Sequence, residues 1–210
     1  MLVFDYGESA TVYRPGTGVA MMPGASGIAP PKTLVLVGLM GAGKSCIGRR
    51  LASRLGLAFA DADQEIERAA GCSVAEIFER HGEEDFRAGE RRVIARLLDN
   101  PIQVLATGGG AFMDPRTRAL IRERAISIWL RADLDLLMRR VSRRNDRPLL
   151  RVADPRQRLS ELMDMRYPIY AEADITVDSA DGPPEATLER VLAALDSFLA
   201  NGPARQRAAG

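Results

Sequence analysis

Short apolar runs alternate with stretches of helical spacing along most of the chain. Thr33 to Val37, Leu57 to Ala60, Ile102 to Ala106, Ala125 to Leu130 and Ile175 to Val177 are the runs. The first four are apolar almost throughout rather than at every second position, the pattern of strands buried on both faces, and the fifth is a short strand. Between them, Lys44 to Leu55 puts Ile47, Leu51 and Leu55 on one helical face and stops at Gly56, a residue suited to the left-handed turn after a helix. Gln64 to Ala70 predicts a short helix closed by Gly71. Ser73 and Glu76 form a capping box that opens a helix reaching about Arg80, before His81-Gly82. Glu83 to Leu98 is a longer amphipathic helix carrying Phe86, Val93, Ile94, Leu97 and Leu98. Further helices are expected over roughly Pro115 to Arg124, Asp133 to Arg143, Pro155 to Tyr167 and Pro184 to Leu199.

Strands separated by helices in this order predict an α/β fold. The expected form is a three-layer sandwich, with a five-stranded parallel sheet covered by helices on both faces. Ligands in such sheets bind beyond the carboxyl ends of the strands. Residues 1–31 stand apart, with scattered apolar positions and many glycines and prolines. They read as a flexible extension, as do residues 200–210. The folded domain is expected over residues 32–199.

Composition narrows the class. The chain has 210 residues, of which 46% are hydrophobic and 27% charged. That is one domain of ordinary soluble make-up, not a disordered or collagenous chain. Lys and Arg together number 29 against 28 Asp and Glu, so no basic field points to nucleic acid. Only Lys32 and Lys44 are lysines, and the other basic residues are arginines. The cysteines, Cys46 and Cys72, and the one histidine, His81, are too few for a soft-ligand metal site or a disulfide framework. No apolar run approaches the ~18 residues of a transmembrane helix. The first residues lack the basic start and apolar run of a secretory signal. A cytoplasmic protein without membrane or nucleic-acid partners is expected.

The chemistry lies at the predicted strand ends. Gly38-Leu-Met-Gly-Ala-Gly-Lys44-Ser45 directly follows the first strand and opens a helix. It matches the phosphate-binding loop G-x-x-x-x-G-K-[ST]. Glycines let the backbone N–H groups approach phosphate oxygens, Lys44 can reach the β- and γ-phosphates, and Ser45 offers a hard oxygen to Mg²⁺. Gly41, Ala42, Gly43, Lys44, Ser45 and Cys46 are therefore expected to line a nucleotide. No Asn-Lys-x-Asp stretch supports guanine readout.

Asp61 and Asp63 end the second strand. Two carboxylates there suit the water shell of Mg²⁺ and a hydroxyl acceptor, while Asp63 is also placed to cap the next helix. Arg87 and Glu90 share a helical face, which fits either a functional fork or a surface ion pair. Gly108-Gly-Gly110 follows the third strand, as a ligand-hugging loop or a plain turn. The segment Arg139 to Leu150 is basic and broken by Pro148. It reads as a helix end running into a loop able to close over a triphosphate, or as a solvated charge run.

Taken in order, these stretches resemble the P-loop shikimate kinases, relatives of the nucleoside monophosphate kinases. The resemblance runs from about Lys32 to Leu199. It rests on Gly38 to Ser45, Phe59 to Asp63, Phe86 to Glu90, Gly108 to Gly110, Arg147 to Leu150 and Arg166 to Tyr170. It implies transfer of the γ-phosphoryl of ATP to the 3-hydroxyl of shikimate, on the route to chorismate and aromatic amino acids, by a monomer with a mobile lid around residues 143–154. It also implies residue roles. Lys44 contacts the transferring phosphoryl, and Ser45 and Asp61 hold Mg²⁺. Asp63 binds the acceptor hydroxyls and is positioned to take the proton. Arg87 and Arg166 grip the carboxylate, and Gly108, Gly109 and Gly110 line its pocket. Arg147 closes from the lid, and Arg140 stacks on adenine, with Arg139 as the alternative register. Cys46 stands where the family more often has a hydroxyl residue, and is expected to face helix packing. His81 is expected to be a bystander. A gluconate or nucleotide kinase of the same fold is the nearest rival, and a catalytically silent nucleotide-binding module the more distant one.

Overall fold

The computed structural model describes residues 27–142 and 153–202. Five strands, β1 (Thr33–Val37), β2 (Ala58–Asp61), β3 (Gln103–Ala106), β4 (Ala125–Arg131) and β5 (Ile175–Asp178), form one sheet in the order β2-β3-β1-β4-β5, every pair parallel. The helices are α1 (Lys44–Leu55), α2 (Ala62–Ala70), α3 (Val74–Asp99), α4 (Pro115–Arg124), α5 (Leu134–Val141), α6 (Pro155–Tyr170) and α7 (Pro184–Asn201). A 3-10 turn, Ala111–Met113, precedes α4.

All five residues of β1 and the first six of β4 are buried. That is why these runs lack alternation: each residue has a helix layer on its side of the sheet. From β1 the chain crosses through α1 to the outer strand β2. It then returns through β3 and passes β1 to reach β4 and β5. Right-handed crossovers in opposite directions put α1 on one face and α3 and α4 on the other. Helix α7 packs on both α1 and β5. The reversal of direction at β1 leaves a crevice between the carboxyl ends of β1 and β3, the usual ligand position in open α/β sheets. Both the amide and the hydroxyl of Thr107 donate to the carbonyl of Leu36, at 3.2 and 3.1 Å, fixing the two strand ends together there.

Several predicted boundaries shift. The second strand is one residue later than expected, so Asp61 closes it and itself caps α2, accepting from the amide of Asp63 at 3.2 Å. One of the two carboxylates therefore caps this helix, and it is Asp61 rather than Asp63. Within α3 the two helices expected on either side of His81-Gly82 are both present, and they meet at Gly82, whose backbone (φ 76°, ψ 178°) is not helical. Helix α6 runs past Pro168 to Tyr170. Pro168, having no N–H, costs this last part of the helix one hydrogen bond to the preceding turn. Of the expected extension, residues 27–31 are described, and there Ile28 packs partly buried against the core. Residues 143–152 of the lid segment, Arg147 among them, and the tail from residue 203 lie outside the described residues.

Candidate active site

The glycine-rich loop emerges from β1 and enters α1 at Gly43, whose φ of 98° is a left-handed conformation that a side chain would strain. No side chain caps α1. Its first N–H groups are therefore available to an anion, with the positive end of the helix dipole behind them. Lys44 folds over the loop, donating to the carbonyls of Gly38 (2.9 Å) and Leu39 (3.0 Å). Ser45 Oγ donates to Asp61 Oδ2 at 2.6 Å, so a hydroxyl and a carboxylate meet at the mouth of the loop. A cleft of about 400 Å³ opens here, lined among others by Gly41, Gly43, Lys44, Ser45, Asp61 and Asp63.

Arg140 closes the far side of this cleft. It donates to Ser179 Oγ (2.8 Å) and the carbonyl of Ala180 (2.6 Å), and more weakly to the carbonyls of Gly41 and Ala42. Ser179 in turn donates to the carbonyl of Ala42 at 3.2 Å. Arg140 thus braces the phosphate loop against the segment after β5. Arg139 instead pairs with Asp181 at the exposed surface, 2.8 Å apart, so Arg140 is the arginine at the cleft. Cys46 is exposed and lines the same cleft. The expectation that it faces helix packing is corrected: its place in the first turn of α1 turns it outward.

A second cleft, of about 430 Å³, lies beside the first. It is lined by Arg87, Arg91, Gly110, Asp114 and Arg166, with Glu83, Met113, Pro115 and Arg116 around them. The Gly108 to Gly110 loop forms the partition. A Cβ at Gly108 would sit 2.6 Å from Asp63 Oδ1 and 3.2 Å from Glu90 Oε1, and one at Gly110 would overlap the guanidinium of Arg87. A side chain at either position would have to displace a charged group that lies directly on this backbone. Arg166 and the phenol of Tyr170 both donate to the carbonyl of Gly109. Burial pushes the phenol upward from its ordinary pKa and keeps it a donor.

Arg87 is no surface ion pair. Its guanidinium donates to Glu90 Oε2 at 2.6 Å, and Glu90 is only 1% exposed. Burial works against the Arg87 charge, but Glu90 and Glu83 outweigh it and hold the guanidinium firmly protonated. Burial also pushes Glu90 up to about 7 despite Arg87, with the neighbouring Asp63 and Asp114 charges adding to the rise. Its other oxygen, Oε1, is buried and without a hydrogen-bond partner, facing the Gly108 side.

The sequence-derived residues therefore fall into two groups. Gly41, Gly43, Lys44, Ser45, Cys46, Asp61, Asp63, Gly109 and Arg140 line the cleft at the glycine-rich loop, and Arg87, Gly110 and Arg166 the other. Ala42 is buried, and Gly108 lies against Asp63 between the two clefts. Three participants, Arg91, Asp114 and Ser179, escaped sequence reading, and a fourth was read only in part. Glu90 was legible only as a helix pair, and its depth depends on packing. Arg91 follows Arg87 by one helical turn, a spacing that places it on the same face. Asp114, just before Pro115, carries a helix-capping signal, but its bond to Arg91 spans 23 residues and leaves no local trace. Nothing local marks Ser179.

Comparison with known proteins agrees with this geometry. The family model described as "Shikimate kinase" matches residues 40–196. The chain is 61% identical over 168 residues to the shikimate kinase of Paramagnetospirillum magneticum, covering 80% of this chain and 86% of that one. It is 61% identical over 164 residues to the shikimate kinase of Caulobacter vibrioides, covering 78% and 82%. Among solved structures, shikimate kinase from Acinetobacter baumannii in complex with shikimate superposes with a TM-score of 0.76 at 38% identity, over 81% of this chain and 94% of that one. The match over most of its length, at this identity, shows that the chain belongs to the shikimate kinase family.

Proposed function

We propose that the enzyme transfers the γ-phosphoryl of ATP to the 3-hydroxyl of shikimate, with the triphosphate on the glycine-rich loop and the acid in the arginine-lined cleft. One observation carries the reading. Asp63 lies against Gly108, where the two clefts adjoin, and a guanidinium-lined pocket opens on the far side of that loop. A ring acid whose carboxylate is held by Arg87 and Arg166 would turn its hydroxyls toward Asp63.

Each role follows from chemistry. Arginine forks match a carboxylate's two oxygens. Asp63 orients the acceptor hydroxyl and is the carboxylate positioned to take its proton. The hydroxyl oxygen bonds to Pγ while the bond from Pγ to the β,γ-bridging oxygen breaks, releasing ADP. Little covalent help is needed, so positioning and charge stabilisation supply most of the rate. Lys44, beside the loop carbonyls, is placed to swing onto the phosphoryl oxygens. Arg140 bounds the nucleotide side and offers its guanidinium face to the base. Arg147 is assigned to closure from the lid.

Magnesium fits the donors present. Ser45 Oγ and Asp61 Oδ2, already 2.6 Å apart, are hard oxygens at the mouth of the loop. Among the described residues no group of three or more His, Cys, Asp or Glu could cage a metal. Mg²⁺ tolerates this, since it keeps several waters and takes further ligands from substrate phosphates. When bound, it would neutralise charge on the phosphate oxygens. Among the described residues no helix is long and apolar enough to cross a membrane. A cytoplasmic monomer is the simplest setting for such a reaction.

ADP release followed in a coupled assay with shikimate, gluconate and AMP tests the function. Turnover with shikimate alone is expected. Preference for gluconate or AMP, or ATP binding without any acceptor-dependent turnover, would reject it.

A further inference from the structure

Four arginines line the acid cleft, Arg87, Arg91, Arg116 and Arg166, against the carboxylates of Glu83 and Asp114. A monocarboxylate needs one or two guanidinium forks, so at least two of the four are surplus. The structure shows where one of these goes. Arg91, one turn beyond Arg87 on α3, donates its Nη1 to Asp114 Oδ2. The other oxygen of Asp114 accepts from the amides of Arg116 (2.7 Å) and Thr117 (3.4 Å), capping α4. Burial acts to raise Asp114, but the Arg91 guanidinium and the two amides outweigh it and hold the carboxyl below its usual range. It is therefore a fixed negative charge, aimed by the helix start at one particular arginine.

We propose that Asp114 is a specificity-determining residue: by engaging Arg91 it leaves the cleft matched to an acid with one carboxylate and ill-matched to one with several. The inference rests on reading this cleft as the seat of the substrate's carboxylate. Its physics is discrimination by a repulsive element. A multiply charged acid would bring a second carboxylate toward Asp114 and find Arg91 already engaged. Asp114 also holds the end of the Ala111–Met113 turn that leads from Gly110, the residue beneath Arg87, so the charge stays in register with the fork.

The test measures inhibition of the full-length enzyme by tricarballylate, a tricarboxylate, in competition with shikimate. Asparagine caps helices about as well as aspartate, so Asp114→Asn keeps the start of α4 and removes only the charge. Its inhibition constant is expected to fall by up to about fivefold, the size of one partly exposed ion pair. Arg91→Gln in the Asp114→Asn background should reverse that gain. Arg91→Gln alone should raise the KM for shikimate several-fold, because it leaves Asp114 facing the substrate carboxylate unopposed, and adding Asp114→Asn should bring the KM back down. Asp114→Ser, which also retains a cap, serves if the asparagine variant does not fold. A merely structural role would weaken binding of both acids. Tighter binding of the tricarboxylate is the outcome it does not produce. An unchanged inhibition constant in the capped variant, with normal shikimate turnover, would overturn the inference alone. Absence of shikimate turnover in the unsubstituted enzyme would overturn the underlying reading instead.

Discussion

The two clefts are built by different means. The nucleotide side is mostly backbone: a glycine turn, a helix start with no capping side chain, and a lysine folded onto its own loop, all within Gly38 to Ser45. The acid side is mostly side chains, drawn from α3, the β3–α4 connection and α6 and held by charge. Arg87 leans on Glu90, Arg91 on Asp114, and Arg166 on the carbonyl of Gly109. Backbone cradles recognise what every nucleoside triphosphate shares. Side-chain forks recognise what one acid has. Substitutions on the two sides should therefore fail differently.

The largest effect is expected at Lys44. Lys44→Ala removes a cation from the phosphoryl path, and kcat should fall on the order of 10²–10³-fold. The core does not depend on this side chain, so the thermal unfolding midpoint should barely move. Retention of most turnover would remove Lys44 from the reaction and break the comparison at its backbone end. Next comes Arg87→Ala. Truncating one partner of a buried charged contact costs on the order of 2–5 kcal/mol, so shikimate affinity should fall about thirtyfold or more. ATP affinity, set on the other side of the glycine loop, should hold. Calorimetric titration with each ligand separates the two, and equal losses for both would mean the clefts are not independent.

The same contrast explains what the sequence could reveal. The phosphate loop was legible because its residues are contiguous and its turn demands particular glycines. Helix and strand order was legible because burial on both faces leaves unbroken apolar runs. The acid side was legible only in fragments. Arg87 with Glu90 reads as a surface pair until α3 is packed and Glu90 is 1% exposed. Arg91 with Asp114 depends on bringing α3 onto the start of α4. Which of Asp61 and Asp63 caps α2 depends on where the second strand ends, and the fold gives the cap to Asp61.

A smaller effect separates the sides by pH. Glu90 is raised from 4.5 to about 7 by burial. The folded state therefore binds this proton more tightly than the unfolded state does. Stability from this group is fully present below about 4.5, declines as pH rises, and levels off above about 7. The span is at most on the order of 3 kcal/mol. Glu90→Gln removes that titration while keeping a side chain of the same size. Urea unfolding at pH 5 and pH 8 should show the parent losing more stability than the variant over this interval. Equal losses would mean that Glu90 stays ionised in the fold and that Arg87 dominates its environment.

The smallest effect is expected at His81, which belongs to neither cleft. It is exposed on α3, immediately before the kink at Gly82. No hydrogen bond on the acid side depends on it, and alanine suits a helix better than histidine does. His81→Ala should keep kcat and both KM values within about twofold and stability within about 0.5 kcal/mol. The neighbouring position makes the contrast sharp. Gly82 sits at φ 76° and ψ 178°, a region open essentially to glycine alone, so Gly82→Ala should cost on the order of 1–3 kcal/mol. It should also disturb shikimate binding before ATP binding, because the kink sets the direction of the half of α3 that carries Arg87 and Arg91. If the histidine variant folded normally yet lost activity, the imidazole would have a part in the chemistry that neither cleft accounts for.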